Sequence, residues 1–136
     1  MITAYVDGGA RGNPGPAGYG AFIVDDRGEL VAELHGALGI ATNNIAEYHG
    51  LIAALQWAVD HGVRALHVKA DSLLLVEQMR GNYRVKNAGL IPLNQRARGL
   101  VARVGHVTFE HVPREQNKEA DRLSNIGMDA NQRSGS

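Results

Sequence analysis

Residues 2–20, ITAYVDGGARGNPGPAGYG, change character at Asp7. Before it, Ile2, Ala4 and Val6 alternate with Thr3, Tyr5 and Asp7, the period-two pattern of a strand. After it come Gly8, Gly9, Gly12 and Pro14, residues that turn a chain. The reading places Asp7 at the C-terminal end of a first strand. A single carboxylate there either finishes that strand or begins a site, and the rest of the chain has to decide which.

Working outward, GYGAFIVDD and ELVAELHGAL read as two further strands joined through Asp26-Arg27-Gly28, a link suited to a hairpin. From Asn44 to about His61, the residues Tyr48, Leu51, Ile52, Leu55, Ala58 and Val59 recur at helical spacing, and Gly62 ends the run. ALHVKADS is a fourth strand and LLLVEQMRG a short helix stopped by Gly81. A polar connection over residues 82–89 leads to a helix over residues 90–104, with Pro92 in its first turn, where proline is tolerated. HVTFEHV is a fifth strand, and residues 117–128 form a closing helix. The order βββαβααβα joins an antiparallel meander to a parallel extension, an α/β arrangement. Residues 1–128 are expected to form a single domain, and the polar DANQRSGS at 129–136 a disordered tail, a linker remnant or a cloning scar.

Composition bounds the chemistry. At 136 residues and 44% apolar, the chain suits one core. It has no apolar run long enough for a membrane span and no secretory pattern, so a cytoplasmic location and no membrane partner are expected. Without cysteine there is no disulfide, thiolate nucleophile or Cys-ligated zinc. Fourteen Lys and Arg offset fourteen Asp and Glu, so no global positive field advertises nucleic acid, although cations held by carboxylates supply local positive charge.

Asp71 follows ALHVKA as Asp7 follows ITAYV, so parallel pairing of those strands would bring both carboxylates to one sheet edge. The alternative is that Asp71 or Ser72 caps the next helix. Glu47 lies one turn before Leu51 and so on the inward stripe, where a carboxylate needs a partner; equally, Asn44-x-x-Glu47 matches a capping box. Asp121 opens the last helix, with Lys118 at i−3 available for an ordinary ion pair. Taken jointly, clustered carboxylates repel one another unless hard divalent cations intervene, and an all-oxygen set selects Mg²⁺ or Mn²⁺.

Four motifs in order, YVDGGARGNPGPAGYG, TNNIAEYHGL, KADSLLLVEQMRG and VPREQNKEADRLSN, make the chain resemble a type 1 ribonuclease H over nearly its whole length, in a compact form without a basic protrusion. The resemblance implies a five-stranded mixed sheet of order 3-2-1-4-5, with strand 2 antiparallel and about four flanking helices. It implies metal-binding and catalytic roles for Asp7, Glu47, Asp71 and Asp121, holding two Mg²⁺ ions, with Mn²⁺ as substitute. The implied reaction is endonucleolytic hydrolysis of the RNA strand of an RNA–DNA hybrid, leaving 3′-hydroxyl and 5′-phosphate ends.

Substrate contacts are implied for Asn13 and Asn43 at the RNA 2′-hydroxyl, and for Thr42 and Asn87 at a DNA-strand phosphate. Helix capping is the competing role for Thr42 and Asn43, and turn formation for Asn13 and Asn87. Arg114 stands where relatives carry a mobile-loop group that assists catalysis or product release, with His111 the other candidate. Leu73 stands where many relatives carry a polar residue, which removes a base or sugar contact. Gly8, Gly9 and Gly12 are expected to let a nucleic-acid backbone approach Asp7.

The partner expected is the hybrid itself. The chain is expected to be a monomer, with room for a fused second domain in a longer protein. A catalytically silent hybrid-binding module is the alternative function, disfavoured by the intact carboxylate set. A nucleotide-binding domain is a third, but GGARGNPGPAG lacks the GK[ST] of a P-loop and leads into a strand.

Overall fold

The computed structural model describes residues 1–134. Its elements are β1 (Ile2–Ala10), β2 (Gly15–Val24), β3 (Leu30–Ala41), α1 (Asn43–Asp60), β4 (Ala65–Ala70), α2 (Leu73–Arg80), α3 (Ile91–Val104), β5 (His106–His111) and α4 (Lys118–Ser134), with a single 3-10 turn over Arg114–Gln116. The strands form one five-stranded sheet in the order β3-β2-β1-β4-β5. Strand β2 is antiparallel to both neighbours, while β1, β4 and β5 run parallel. This is the α/β class and strand order expected.

The β2–β3 hairpin is built by Asp25, whose Oδ1 accepts from the N–H groups of Arg27 and Glu29 at 2.9 and 3.0 Å. Gly28 at φ 80° supplies the left-handed residue that the turn needs. One side of the sheet, through Ala4, Val6, Ala21, Ile23, Leu66 and Val68, packs on Leu51 and Leu55 of α1, Val76 of α2 and Leu100 of α3. Each large aliphatic side chain sealed there contributes about 1.5–3 kcal/mol. A buried polar relay joins the same three helices: Tyr48 Oη donates to Gln78 Oε1 at 2.7 Å, and Asn94 Nδ2 donates to Tyr48 Oη at 3.1 Å. Helix α4 covers the other side, over β1, β2 and β3.

Helix α1 lies against β1 backbone to backbone. Its buried face carries small residues one turn apart, Ala46, Gly50, Ala54 and Ala58. A Cβ on Gly8 would come within 2.1 Å of the Ala46 carbonyl carbon, and one on Gly50 within 2.5 Å of the Asp7 carbonyl oxygen. Glycine at these two positions is required for close approach of the helix. The expectation that Gly8 serves substrate access is thus corrected: the helix occupies that space.

Three differences from expectation bear on the site. Strand β1 does not stop at Asp7; it continues to Ala10, because Gly8, Gly9 and Ala10 still pair with Tyr19, Gly18 and Ala17 of β2. The cap of α1 is Thr42, whose Oγ1 accepts from the Ile45 N–H at 3.2 Å, so the Asn44-x-x-Glu47 capping box does not form. Helix α4 runs on past Met128 to Ser134, and Asp129 is ion-paired with Arg11, which replaces the expected disordered tail up to that residue. Residues 135–136 lie outside the described part.

The contacts at Gly8 yield a paired prediction. Gly8→Ala should destabilise the protein by about 3 kcal/mol through overpacking. Gly99→Ala, on the exposed face of α3 with nothing within 4 Å, should stabilise it, by about 0.5–1 kcal/mol from helix propensity. Urea unfolding midpoints check both signs.

Candidate active site

Register places the first two carboxylates. The parallel pairing of β1 with β4 ends at Val6 opposite Ala70, so Asp7 and Asp71 follow as neighbours where that pairing stops. Asp7 pairs with Gly20 of β2, and a Cβ on Gly20 would meet Ala120 and Ser124 of α4. Cross-strand partners share a face, so Asp7 points to the α4 side. Asp71 does not cap α2; Ser72 does, its Oγ accepting from the Leu75 N–H at 3.2 Å.

The helices bring the other two. The contact of α1 with Gly8 sets Glu47 beside Asp7, and α4 brings Asp121 close enough for its charge to raise the Asp7 pKa. Among the described residues no ion pair joins Lys118 to Asp121. One carboxylate oxygen each from Asp7, Glu47 and Asp71 lies within 4.8 Å of the others. All four residues line one open cleft of about 560 Å³, together with Arg11, Asn43 and Arg114.

Electrostatics makes this cluster costly when it is bare. Burial, followed by the neighbouring Asp71 charge, pushes the Asp7 pKa up to about 7. Burial and then Asp7 and Asp71 hold Glu47 well above the usual carboxylate range. Asp71 is raised by burial as well, against the opposing pull of Arg114. Glu47 Oε2 is sealed from solvent and has no hydrogen-bond partner. A partnerless buried carboxylate oxygen, facing two more carboxylates with only oxygen donors, fits a hard divalent cation.

The remaining sequence candidates fall into three groups. Asn13 and Asn43 are tied together: Asn13 Oδ1 accepts from the Asn43 N–H at 3.1 Å, and Asn43 Oδ1 accepts from the Ala10 N–H at 2.8 Å. Thr42 caps α1, and Asn87 forms a turn by accepting from the Gly89 N–H at 2.8 Å. Gly89 packs near Ile45 in the first turn of α1, so the Asn87 turn sits by the end of the helix that Thr42 caps. Arg114 lines the cleft, whereas the His111 imidazole faces the Asp71 carbonyl at 3.3 Å.

One residue escaped the sequence reading although it lies within VPREQNKEADRLSN. Asn117 is buried, donates through Nδ2 to the Val6 carbonyl at 2.9 Å and lies near enough to Asp71 to lower its pKa. It thereby ties the start of α4 to the strand ends that carry the carboxylates. Its only sequence signal was a polar residue at a helix start, which capping explains equally well.

The reverse transcriptase-like family matches residues 5–127. LC11-RNase H1, solved in complex with RNA/DNA hybrid, superposes with a TM-score of 0.91 at 41% identity, covering 96% of this chain and 98% of its own. The chain belongs to the reverse transcriptase-like, ribonuclease H family. The N-terminal RNase H domain of rv2228c from Mycobacterium tuberculosis, solved as a fusion with maltose binding protein, gives a TM-score of 0.95 at 46% identity, over 99% of this ribonuclease H chain and 98% of that one. The bifunctional protein Rv2228c of Mycobacterium tuberculosis is 48% identical over 130 residues. That match takes in 95% of this chain but spans only 36% of the relative's length. Among the described residues no helix is long and apolar enough to cross a membrane.

The raised Asp7 predicts how stability responds to pH. A carboxyl with a raised folded-state pKa contributes stability that is complete below its ordinary 3.8 and is lost as pH rises through about 7. In metal-free protein, Asp7→Asn should therefore gain melting temperature over wild type as pH rises through that window. Adding Mg²⁺ should close the gap by stabilising wild type only. Thermal denaturation in chelator and in Mg²⁺ checks this.

Proposed function

We propose that this chain is a hybrid-specific endoribonuclease, hydrolysing the RNA strand of RNA–DNA hybrids to leave 3′-hydroxyl and 5′-phosphate ends. The observation that carries the reading is the convergence of Asp7, Glu47, Asp71 and Asp121 in one open cleft, with a buried, partnerless Glu47 oxygen behind it. A relative at 41% identity solved with RNA/DNA hybrid supports the substrate class.

Asp7, Glu47, Asp71 and Asp121 would hold two Mg²⁺ ions, or Mn²⁺ in their place. Such ions, when bound, supply an activated water and charge stabilisation at the leaving oxygen. The chain's own residues do the rest. Asn43, fixed by Asn13 and by Ala10, presents polar groups at the cleft wall where a 2′-hydroxyl would distinguish RNA from DNA. Thr42 and Asn87, at the end of α1, suit a phosphate of the DNA strand, which fixes register without reading sequence. Arg114 faces Asp71 and Glu47, where a cation favours phosphate binding and steers product departure. The cytoplasm is the proposed compartment and a monomer the proposed state. Additional domains in a longer protein are in keeping with the bifunctional relative.

Purified protein with Mg²⁺ or Mn²⁺ should cut the RNA strand of a labelled hybrid and leave a DNA duplex intact. Asp71→Asn should lower the rate by at least ~100-fold, the scale of losing one electrostatic group at a phosphoryl site. Full activity in that variant would refute the site. Tight hybrid binding without cleavage by wild type would favour the silent binding module.

A further inference from the structure

Arg11 crosses from the β1–β2 turn to the last helix. Its Nη1 donates to Asp129 Oδ1 at 2.5 Å and its Nη2 to Asn125 Oδ1 at 2.9 Å, 118 and 114 residues along the chain. Asn125 in turn donates through Nδ2 to the Asp121 carbonyl at 2.9 Å. Arg11 and Asn125 both line the carboxylate cleft. The turn that Arg11 begins is exposed from Arg11 to Pro14 and contains Gly12 at φ 87°.

The base of that turn is closed by the Arg11 N–H to the Pro16 carbonyl at 2.9 Å, and its tip leans on α1 through Asn13 Oδ1 and the Asn43 N–H. An exposed turn with a glycine at positive φ benefits from a side-chain tether to the body of the fold. The Arg11 side chain adds a restraint from the opposite wall, using the forked guanidinium to reach two acceptors on α4 at once.

We infer that Arg11 is a positioning residue: bridged to Asp129 and Asn125, it holds the Asn13 turn against α4 and so fixes where the RNA strand seats in the cleft. The inference rests on the hybrid-cleaving reading above. The pair is partly exposed, at 35% and 47%, so it contributes little to global stability. Its effect lies in the placement of Asn13 and Asn43 and is read in substrate affinity. The restraint is reciprocal, since α4 carries Asp121 one turn before Asn125. Asp129 lies one residue past Met128, so α4 beyond that point contacts the turn at the rim of the cleft.

The test is steady-state cleavage of one hybrid by wild type, Arg11→Ala, Arg11→Lys, Asp129→Ala and the Arg11→Ala/Asp129→Ala double variant, with melting temperatures alongside. Arg11→Ala and Asp129→Ala should each raise KM by ~5-fold with kcat within about twofold, and the double variant should be no worse than Arg11→Ala, the signature of coupled partners. Arg11→Lys should restore only part of the affinity, because an ammonium cannot span both acceptors in the same fork. Overturning results are wild-type KM in Asp129→Ala with a raised KM in Arg11→Ala alone, which marks a direct phosphate contact, and wild-type KM in both. A fall in kcat together with melting temperature would mark a merely structural role and also overturn it. Should wild type cut no hybrid, the activity reading fails separately. Hybrid dissociation constants from fluorescence anisotropy then test the same ranking, with equal affinities overturning the positioning role.

Discussion

The fold turns on one contact, the backbone of α1 pressed onto the backbone of β1 at Gly8 and Gly50. Those glycines leave no side chain between helix and strand, and the neighbouring carbonyls fill the space that a Cβ would need. Because the helix sits that close, Glu47 at its second turn is brought against Asp7 at a fixed depth in the sheet. The register of β1 with β4 adds Asp71, and α4, packed on Gly20, adds Asp121. Packing that would be neutral elsewhere here forces like charges together.

That arrangement is electrostatically unfavourable by itself, as the upward displacement of Asp7, Glu47 and Asp71 records. Stability is given up locally in return for a preorganised oxygen cage, the usual relation between a strained site and the scaffold that holds it. The scaffold responds with a dense polar lining. Asn117 fixes the start of α4 to β1, Ser124 and Asn125 bond the Asp121 carbonyl, and Asn43 and Asn13 hold the opposite wall. The overall charge of the chain is zero, so any polyanion it binds would rely on cations gathered in the cleft and on neutral donors at its rim.

Much of this was legible in the sequence, for identifiable reasons. Period-two alternation up to Asp7 and up to Ala70 placed two strands whose parallel pairing sets Asp7 beside Asp71. The spacing of Glu47 from Leu51 and Leu55 put it on the inward face. What misled was local ambiguity. Glycine reads as a strand breaker, yet Gly8 and Gly9 stay in β1 because β2 pairs with them across a tight turn. Thr42 and Asn44 are both good caps two residues apart, and only the path of β3 into α1 selects Thr42. The end of α4 has no apolar period, and the Arg11 contact that engages Asp129 spans most of the chain, beyond what any local pattern reports. Asn117 was hidden for the same reason, since its partner is the Val6 carbonyl 111 residues away.

The central claim is that packing forces these carboxylates into a cage that needs divalent cations. Crystals equilibrated with Mn²⁺ and measured at the manganese absorption edge address it directly. The account predicts anomalous density among Asp7, Glu47 and Asp71, with Glu47 Oε2 in contact with it. Saturating Mn²⁺ that leaves this position without density and Glu47 Oε2 still without a partner would contradict the account.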